Sequence, residues 1–108
     1  MNLLIIDDDK DLLKLLKLTF EKEYNVVICD SALKIEPSDL YKYDLIILDI
    51  MMEEMSGFDF LTKYRNMIDI PIILLTAKDF EKDKIEGFAL GADDYVTSST
   101  ISNMRYSL

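Results

Sequence analysis

The chain has 108 residues, half of them hydrophobic, which predicts one folded domain over residues 1–108. Its formal net charge of -9 argues against direct binding to nucleic acid or to an anionic membrane surface. One cysteine and no histidine exclude an internal disulfide, a zinc site and histidine-based catalysis. No run approaches the ~18 apolar residues of a membrane span, and the N-terminus lacks the basic region of a signal peptide, so we expect a cytoplasmic protein.

Short apolar runs alternate with helical patterns along the chain. The apolar runs predict strands at residues 3–6, 26–29, 45–48, 70–75 and 95–97. Apolar residues spaced three and four apart predict helices at residues 9–22, 57–67 and 80–90, and Pro37 precedes a weak helix at residues 38–41. Gly91 follows the helix at residues 80–90, where a C-cap glycine is expected.

The alternation of strand and helix predicts an α/β fold. Because the strands are continuously apolar, both faces of the sheet should be covered, which is typical of a parallel sheet. With right-handed crossovers, we expect a flavodoxin-like, doubly wound, five-stranded sheet in the order 2-1-3-4-5. Residues 98–108 allow about two turns of a fifth helix, with Ile101, Met104 and Leu108 on one face. The domain is therefore expected to be truncated or atypical after about residue 97, and an apolar patch there would favour a homodimer.

Acidic and hydroxyl side chains follow the predicted strands at their carboxyl ends. They are Asp7, Asp8 and Asp9 after the first strand, Asp49 after the third, and Thr76 and Lys78 after the fourth. Because the first and third strands are expected neighbours, the carboxylates of Asp7, Asp8 and Asp49 should converge on one Mg²⁺. The backbone carbonyl of Met51 would add a further oxygen. Two structural alternatives stay open at this point: the Asp triplet as a helix N-cap, and Asp49 as a turn former.

Five stretches carry a resemblance to a known family: residues 3–8, residues 44–52, Gly57, residues 71–77 and residues 91–97. Together, over about residues 2–97, they are similar to the receiver domains of two-component response regulators, and look closest to receivers of DNA-binding transcriptional regulators. The resemblance implies that Asp49 accepts a phosphoryl group from a sensor histidine kinase and that Asp7 and Asp8 hold Mg²⁺. It also implies that Thr76 bonds the phosphoryl group and that the rotation of Tyr95 reports activation. The accompanying movement of the loop would switch a partner-binding face.

The chain departs from this family pattern at two places. Ser98 and Ser99 stand where the family has Lys-Pro, and the loss of the lysine predicts weaker phosphoryl transfer and weaker switching. Glu53 stands where receivers usually have proline, which loosens the loop and adds negative charge near the site. Lys78, two residues after Thr76, is a candidate to replace the missing cation in part.

Three functions compete on this sequence. The first is a phosphorylated receiver, which takes a phosphoryl group from a donor and is not a turnover enzyme. The second is a degenerate receiver that binds partners without phosphorylation, as Ser98 and Glu53 favour. The third is a small Mg²⁺-dependent phosphohydrolase using Asp7 and Asp9, which the residue at position 11 and the lack of a cap disfavour.

Overall fold

A computed structural model describes residues 1–77 and 79–99 of the chain. The sheet is parallel, and its order is β2-β1-β3-β4-β5, which confirms the predicted topology. Its strands are β1 (Asn2–Ile6), β2 (Asn25–Cys29), β3 (Leu45–Asp49), β4 (Ile72–Thr76) and β5 (Asp94–Thr97). β4 begins two residues later than predicted, after Pro71, which has no N–H to donate to a neighbouring strand.

Three α-helices lie at the predicted places. They are α1 (Lys10–Phe20), α2 (Gly57–Tyr64) and α3 (Glu81–Ala89). A capping box begins α2, because the Ser56 side chain accepts from the Asp59 N–H while the Asp59 side chain accepts from the Ser56 N–H. The helix predicted at residues 57–67 ends at Tyr64 and continues as a 3-10 turn, Arg65–Met67.

The weak helix predicted at residues 38–41 is wrong in type. The chain between β2 and β3 forms two 3-10 segments, Ala32–Lys34 and Pro37–Lys42. Glu36 is extended, as the residue before a proline tends to be, and Tyr43 is extended again at the other end. The six residues between them form a 3-10 connector, a common form for short segments between other elements.

Buried side chains form one cluster on each face of the sheet, because successive residues of a strand point to opposite faces. The cluster on the α1 face consists of Leu3, Ile5, Leu13, Leu16, Ile47 and Leu75. The cluster on the α2 face includes Leu4, Ile6, Leu48, Phe60, Leu61 and Leu74. Helices therefore cover both faces, as a doubly wound sheet requires.

Several expectations concern residues that the structure does not describe. Lys78 and the short fifth helix, with Ile101, Met104 and Leu108, lie outside the described residues. Within residues 1–77 and 79–99, no helix has the length and apolar character needed to cross a membrane.

Candidate functional site

Three carboxylates lie where β1 and β3 end. Asp7 and Asp8 follow the last residue of β1, and Asp49 is the last residue of β3. The parallel register pairs Ile6 with Leu48, so the two strands end at the same edge of the sheet. Asp7 and Asp49 are buried, with 2% and 9% of their surface exposed, whereas Asp8 is exposed.

Backbone N–H groups orient the two buried carboxylates. The Asp9 N–H donates to Asp7 Oδ1 at 2.9 Å, and the Met51 N–H donates to Asp49 Oδ1 at 3.2 Å. Asp9 has a different task, because its own carboxylate accepts from two N–H groups in the first turn of α1. Asp9 is therefore the N-cap of α1, and Asp7 and Asp8 are left at the end of β1.

Gly57 allows the start of α2 to approach the strand that carries Asp49. A Cβ atom at residue 57 would lie 2.4 Å from the Asp49 carbonyl oxygen. The Gly57 N–H donates to the Ile50 carbonyl at 3.0 Å, which closes the loop between β3 and α2. A side chain at residue 57 would thus displace the backbone that positions Asp49.

The three carboxylates are close enough to share one cation. One oxygen from each of Asp7, Asp8 and Asp49 lies within 4.8 Å of the other two. Oxygens bound to one Mg²⁺ lie about 2 Å from the ion and so up to ~4 Å apart. Small side-chain rotations would therefore place all three in one coordination sphere.

The electrostatics of the cluster also fit a cation. Burial, followed by the negative charge of Asp7, raises the pKa of Asp49 to about 8. Burial also raises the pKa of Asp7, and the two side chains share a hydrogen bond. Without a cation, one proton is thus held between two carboxylates at neutral pH. A divalent cation would remove the repulsion that keeps this proton bound.

Thr76, on the neighbouring strand β4, adjoins the carboxylates, and Tyr95 lies beyond it on the edge strand β5. Thr76 ends β4 and is 2% exposed, and Tyr95 lies on β5, where it pairs with Leu74. The side chains of Thr76 and Tyr95 share a hydrogen bond. Burial raises the pKa of the Tyr95 hydroxyl, which is protonated at neutral pH even at its ordinary pKa.

An open cavity of about 230 Å³ joins the three carboxylates and Thr76. Its walls are formed by Asp7, Asp8, Asp9, Leu12, Asp49, Met51, Leu75, Thr76, Ala77 and Ser98. No basic side chain is among these described wall residues. Two larger cavities, of about 430 and 740 Å³, lie elsewhere, and neither has three carboxylates in its walls.

A family model described as the response regulator receiver domain matches residues 3–102. The chain belongs to the response-regulator receiver family. Two curated relatives of this receiver are the transcriptional regulatory protein YvrH of Bacillus subtilis, 44% identical, and the response regulator SaeR of Staphylococcus epidermidis, 47% identical. The matches cover 89% and 88% of the receiver, and it spans 42% of the length of each relative.

A solved structure shares the fold over nearly the whole receiver. It is the BeF3-activated N-terminal receiver domain of RstA from Klebsiella pneumoniae, with a TM-score of 0.85 and 25% identity. The similarity covers 98% of this chain and 97% of the RstA chain. The receiver therefore has the α/β fold of its family.

The two places where this receiver differs from the family pattern lie beside the carboxylates. Ser98 forms part of the cavity wall, and the Ser99 hydroxyl lies 3.1 Å from the Thr97 hydroxyl. Glu53 is exposed on the loop after β3 and shares a smaller cavity, about 130 Å³, with Asp8. Neither departure brings a positive charge to the site.

The sequence pattern did not predict a contact made by Lys84. Lys84, on α3, lies with its Nζ 5.6 Å from the centroid of the Tyr95 ring. The same Nζ is 2.9 Å from Asp79 Oδ1. No local sequence signal could have found this contact, because it depends on how α3 packs beside β5.

Proposed function

We propose that this receiver accepts a phosphoryl group on Asp49 from a sensor histidine kinase, in a reaction that depends on Mg²⁺. The observation that carries the proposal is the convergence of the Asp7, Asp8 and Asp49 carboxylates in one open cavity. Asp49 is buried at the end of β3, where the family resemblance expects the phosphoacceptor. The BeF3-activated state of the RstA receiver supports an analogous chemistry here.

In the proposed transfer, an ionised Asp49 oxygen attacks the phosphorus of a phosphohistidine in line with the leaving nitrogen. The new P–O bond forms as the P–N bond breaks, and the bonding pair leaves with the imidazole nitrogen. Asp7 and Asp8, with Asp49 and the Met51 carbonyl, would hold the Mg²⁺. When bound, this ion supplies positive charge that favours the ionised carboxylate and neutralises the phosphoryl oxygens.

The switch would then begin at Thr76. Its hydroxyl is at the end of β4, on the wall of the same cavity, and would donate to the new phosphoryl group. Because Thr76 also bonds Tyr95, a movement of Thr76 would be transmitted to β5 and the adjoining face of α3. Partner affinity would change as the population of the two states shifts.

The whole protein's role extends this proposal. YvrH is a transcriptional regulatory protein, and this receiver matches 42% of its length. We therefore infer that the phosphorylated receiver controls transcription through a DNA-binding segment of the whole protein. The net charge of -9 favours DNA binding by a separate segment, because the receiver itself is poorly suited to bind a polyanion.

The test is intact-protein mass spectrometry after incubation with acetyl phosphate and Mg²⁺. We expect the mass to rise by one phosphoryl group, and the gain to disappear in Asp49→Asn and when EDTA replaces Mg²⁺. Asp69→Asn, a change at an exposed aspartate away from the site, should label like the parent. Labelling that persists in Asp49→Asn would contradict the assignment of the phosphoacceptor.

A second candidate function is a binding module that works without phosphorylation. The observation favouring it is the absence of a basic side chain from the described cavity wall, where Ser98 replaces the family's lysine. Absence of labelling in the parent protein under the conditions above would favour this function. Lys78 remains a candidate for the missing cation, and unchanged labelling in Lys78→Ala would eliminate it.

A further inference from the structure

Lys84 is a basic side chain that lies against the proposed switch tyrosine. Its Nζ lies 5.6 Å from the centre of the Tyr95 ring, within the range of a cation–π contact. Its side chain is 33% exposed, so the charge is partly shielded from water. The contact joins α3 to β5, the two elements that adjoin the proposed switch.

A second contact limits where Lys84 can go. Its Nζ is 2.9 Å from Asp79 Oδ1, in the segment between β4 and α3. A lysine whose ammonium group is already held in place loses fewer conformations when it contacts the ring than a free surface lysine would. Asp79 therefore anchors the ammonium group near the face of Tyr95.

The far end of the same tyrosine contacts Thr76, which lines the phosphorylation site. The Tyr95 hydroxyl shares a hydrogen bond with Thr76, whose side chain is buried on the cavity wall with Asp49. A cation on the ring and a hydrogen bond at the hydroxyl thus both act on the tyrosine. Loss of the contact with Lys84 should let the ring leave Thr76 more often.

We propose that Lys84 is a positioning residue, which holds the Tyr95 ring so that its hydroxyl stays bonded to Thr76. It acts through Tyr95 and Thr76, and does not touch the phosphoryl group. The effect on phosphorylation rests on the proposed function, whereas the effect on the ring does not.

The test compares Lys84→Met with Lys84→Arg. Methionine keeps most of the apolar stem without the charge, and arginine keeps the charge and stacks on aromatic rings. Lys82→Met is the matched control, because Lys82 is an exposed lysine on the same helix. The first readout is the nuclear Overhauser contact between the Tyr95 ring and the Thr76 methyl group, measured without phosphodonor.

We expect Lys84→Met to lower the ratio of receivers with this contact to receivers without it by about two- to fivefold, the size of a partly exposed cation–π interaction. Lys84→Arg and Lys82→Met should keep the contact of the parent. An unchanged contact in Lys84→Met, or an equal loss in Lys84→Arg, would overturn the proposal. The second readout is the rate of Asp49 labelling by acetyl phosphate, which should fall only in Lys84→Met. A lost contact in a receiver that is never labelled would leave the positioning role standing and reject the proposed function.

Discussion

Replacing Asp49 by asparagine should stabilise the metal-free receiver at neutral and alkaline pH. The substitution removes a buried group that must either bind a proton or carry a charge next to Asp7, and it leaves an amide of nearly the same shape. The asparagine oxygen can still accept from the Met51 N–H, as the carboxylate does at 3.2 Å. The change therefore isolates the electrostatic cost of the cluster from its packing.

The size of this effect follows from the pKa of Asp49, which rises from 3.8 to about 8 on folding. The folded state keeps a proton that the unfolded chain releases above pH 3.8, so the free energy of unfolding falls as pH rises toward about 8. About four pH units at ~1.4 kcal/mol each set an upper limit of about 6 kcal/mol. Sharing of the proton with Asp7 reduces this, and we expect about 2–4 kcal/mol of stabilisation near pH 8.

The assay is urea unfolding in EDTA, followed by circular dichroism, at about pH 5 and about pH 8. Asp49→Asn should be clearly more stable than the parent at the higher pH and much closer to it at the lower pH. Mg²⁺ should raise the stability of the parent and narrow the gap, because it binds the folded state. A stabilisation of equal size at both pH values, or a destabilisation at the higher one, would show that the raised pKa of Asp49 is not its cause.

Three other substitutions test separate parts of the structure. Asp8→Asn should weaken Mg²⁺ binding at least about tenfold in isothermal titration, because it removes one of three converging carboxylates; unchanged affinity would place the ion elsewhere. Ser98→Lys should speed Asp49 labelling by acetyl phosphate about tenfold, since a cation ~4 Å from the phosphoryl group gives ~4 kcal/mol before desolvation; an unchanged rate would show that the site does not lack a cation. Arg65→Ala should lower the free energy of unfolding by about 2–3 kcal/mol, because the guanidinium bridges two backbone carbonyls and a carboxylate. Lys17→Ala is its exposed control, and an equal effect of the two changes would show that the hydrogen bonds of Arg65 do not stabilise the fold.

The sheet order and the site edge could be predicted because the signals are local and repeat. Each central strand is an uninterrupted apolar run, such as the first four residues of Leu45–Asp49, and a parallel sheet covered on both faces buries such runs. The order then places the ends of β1 and β3 together, which brings Asp8 and Asp49 to one edge. The alternative interpretation of the Asp triplet as a helix N-cap is correct for Asp9, whose carboxylate accepts hydrogen bonds from the first turn of α1.

Features that depend on tertiary packing could not be predicted in the same way. The segment between β2 and β3 has the composition of a weak helix, but extended residues at Glu36 and Tyr43 confine it to a 3-10 turn. The side chain of Arg65 joins the end of α2 to Asp93, which is distant in sequence. The contact of Lys84 with Tyr95 likewise appears only when α3 packs beside β5.

The most direct measurement of the central claim is the position of a bound divalent cation. Mn²⁺, in place of Mg²⁺, broadens the amide resonances of residues around it in heteronuclear NMR spectra. We expect broadening centred on Asp7, Asp8 and Asp49, and its loss in Asp8→Asn. Broadening centred away from this edge of the sheet, or spread evenly over the acidic surface, would contradict a shared site at the ends of β1 and β3.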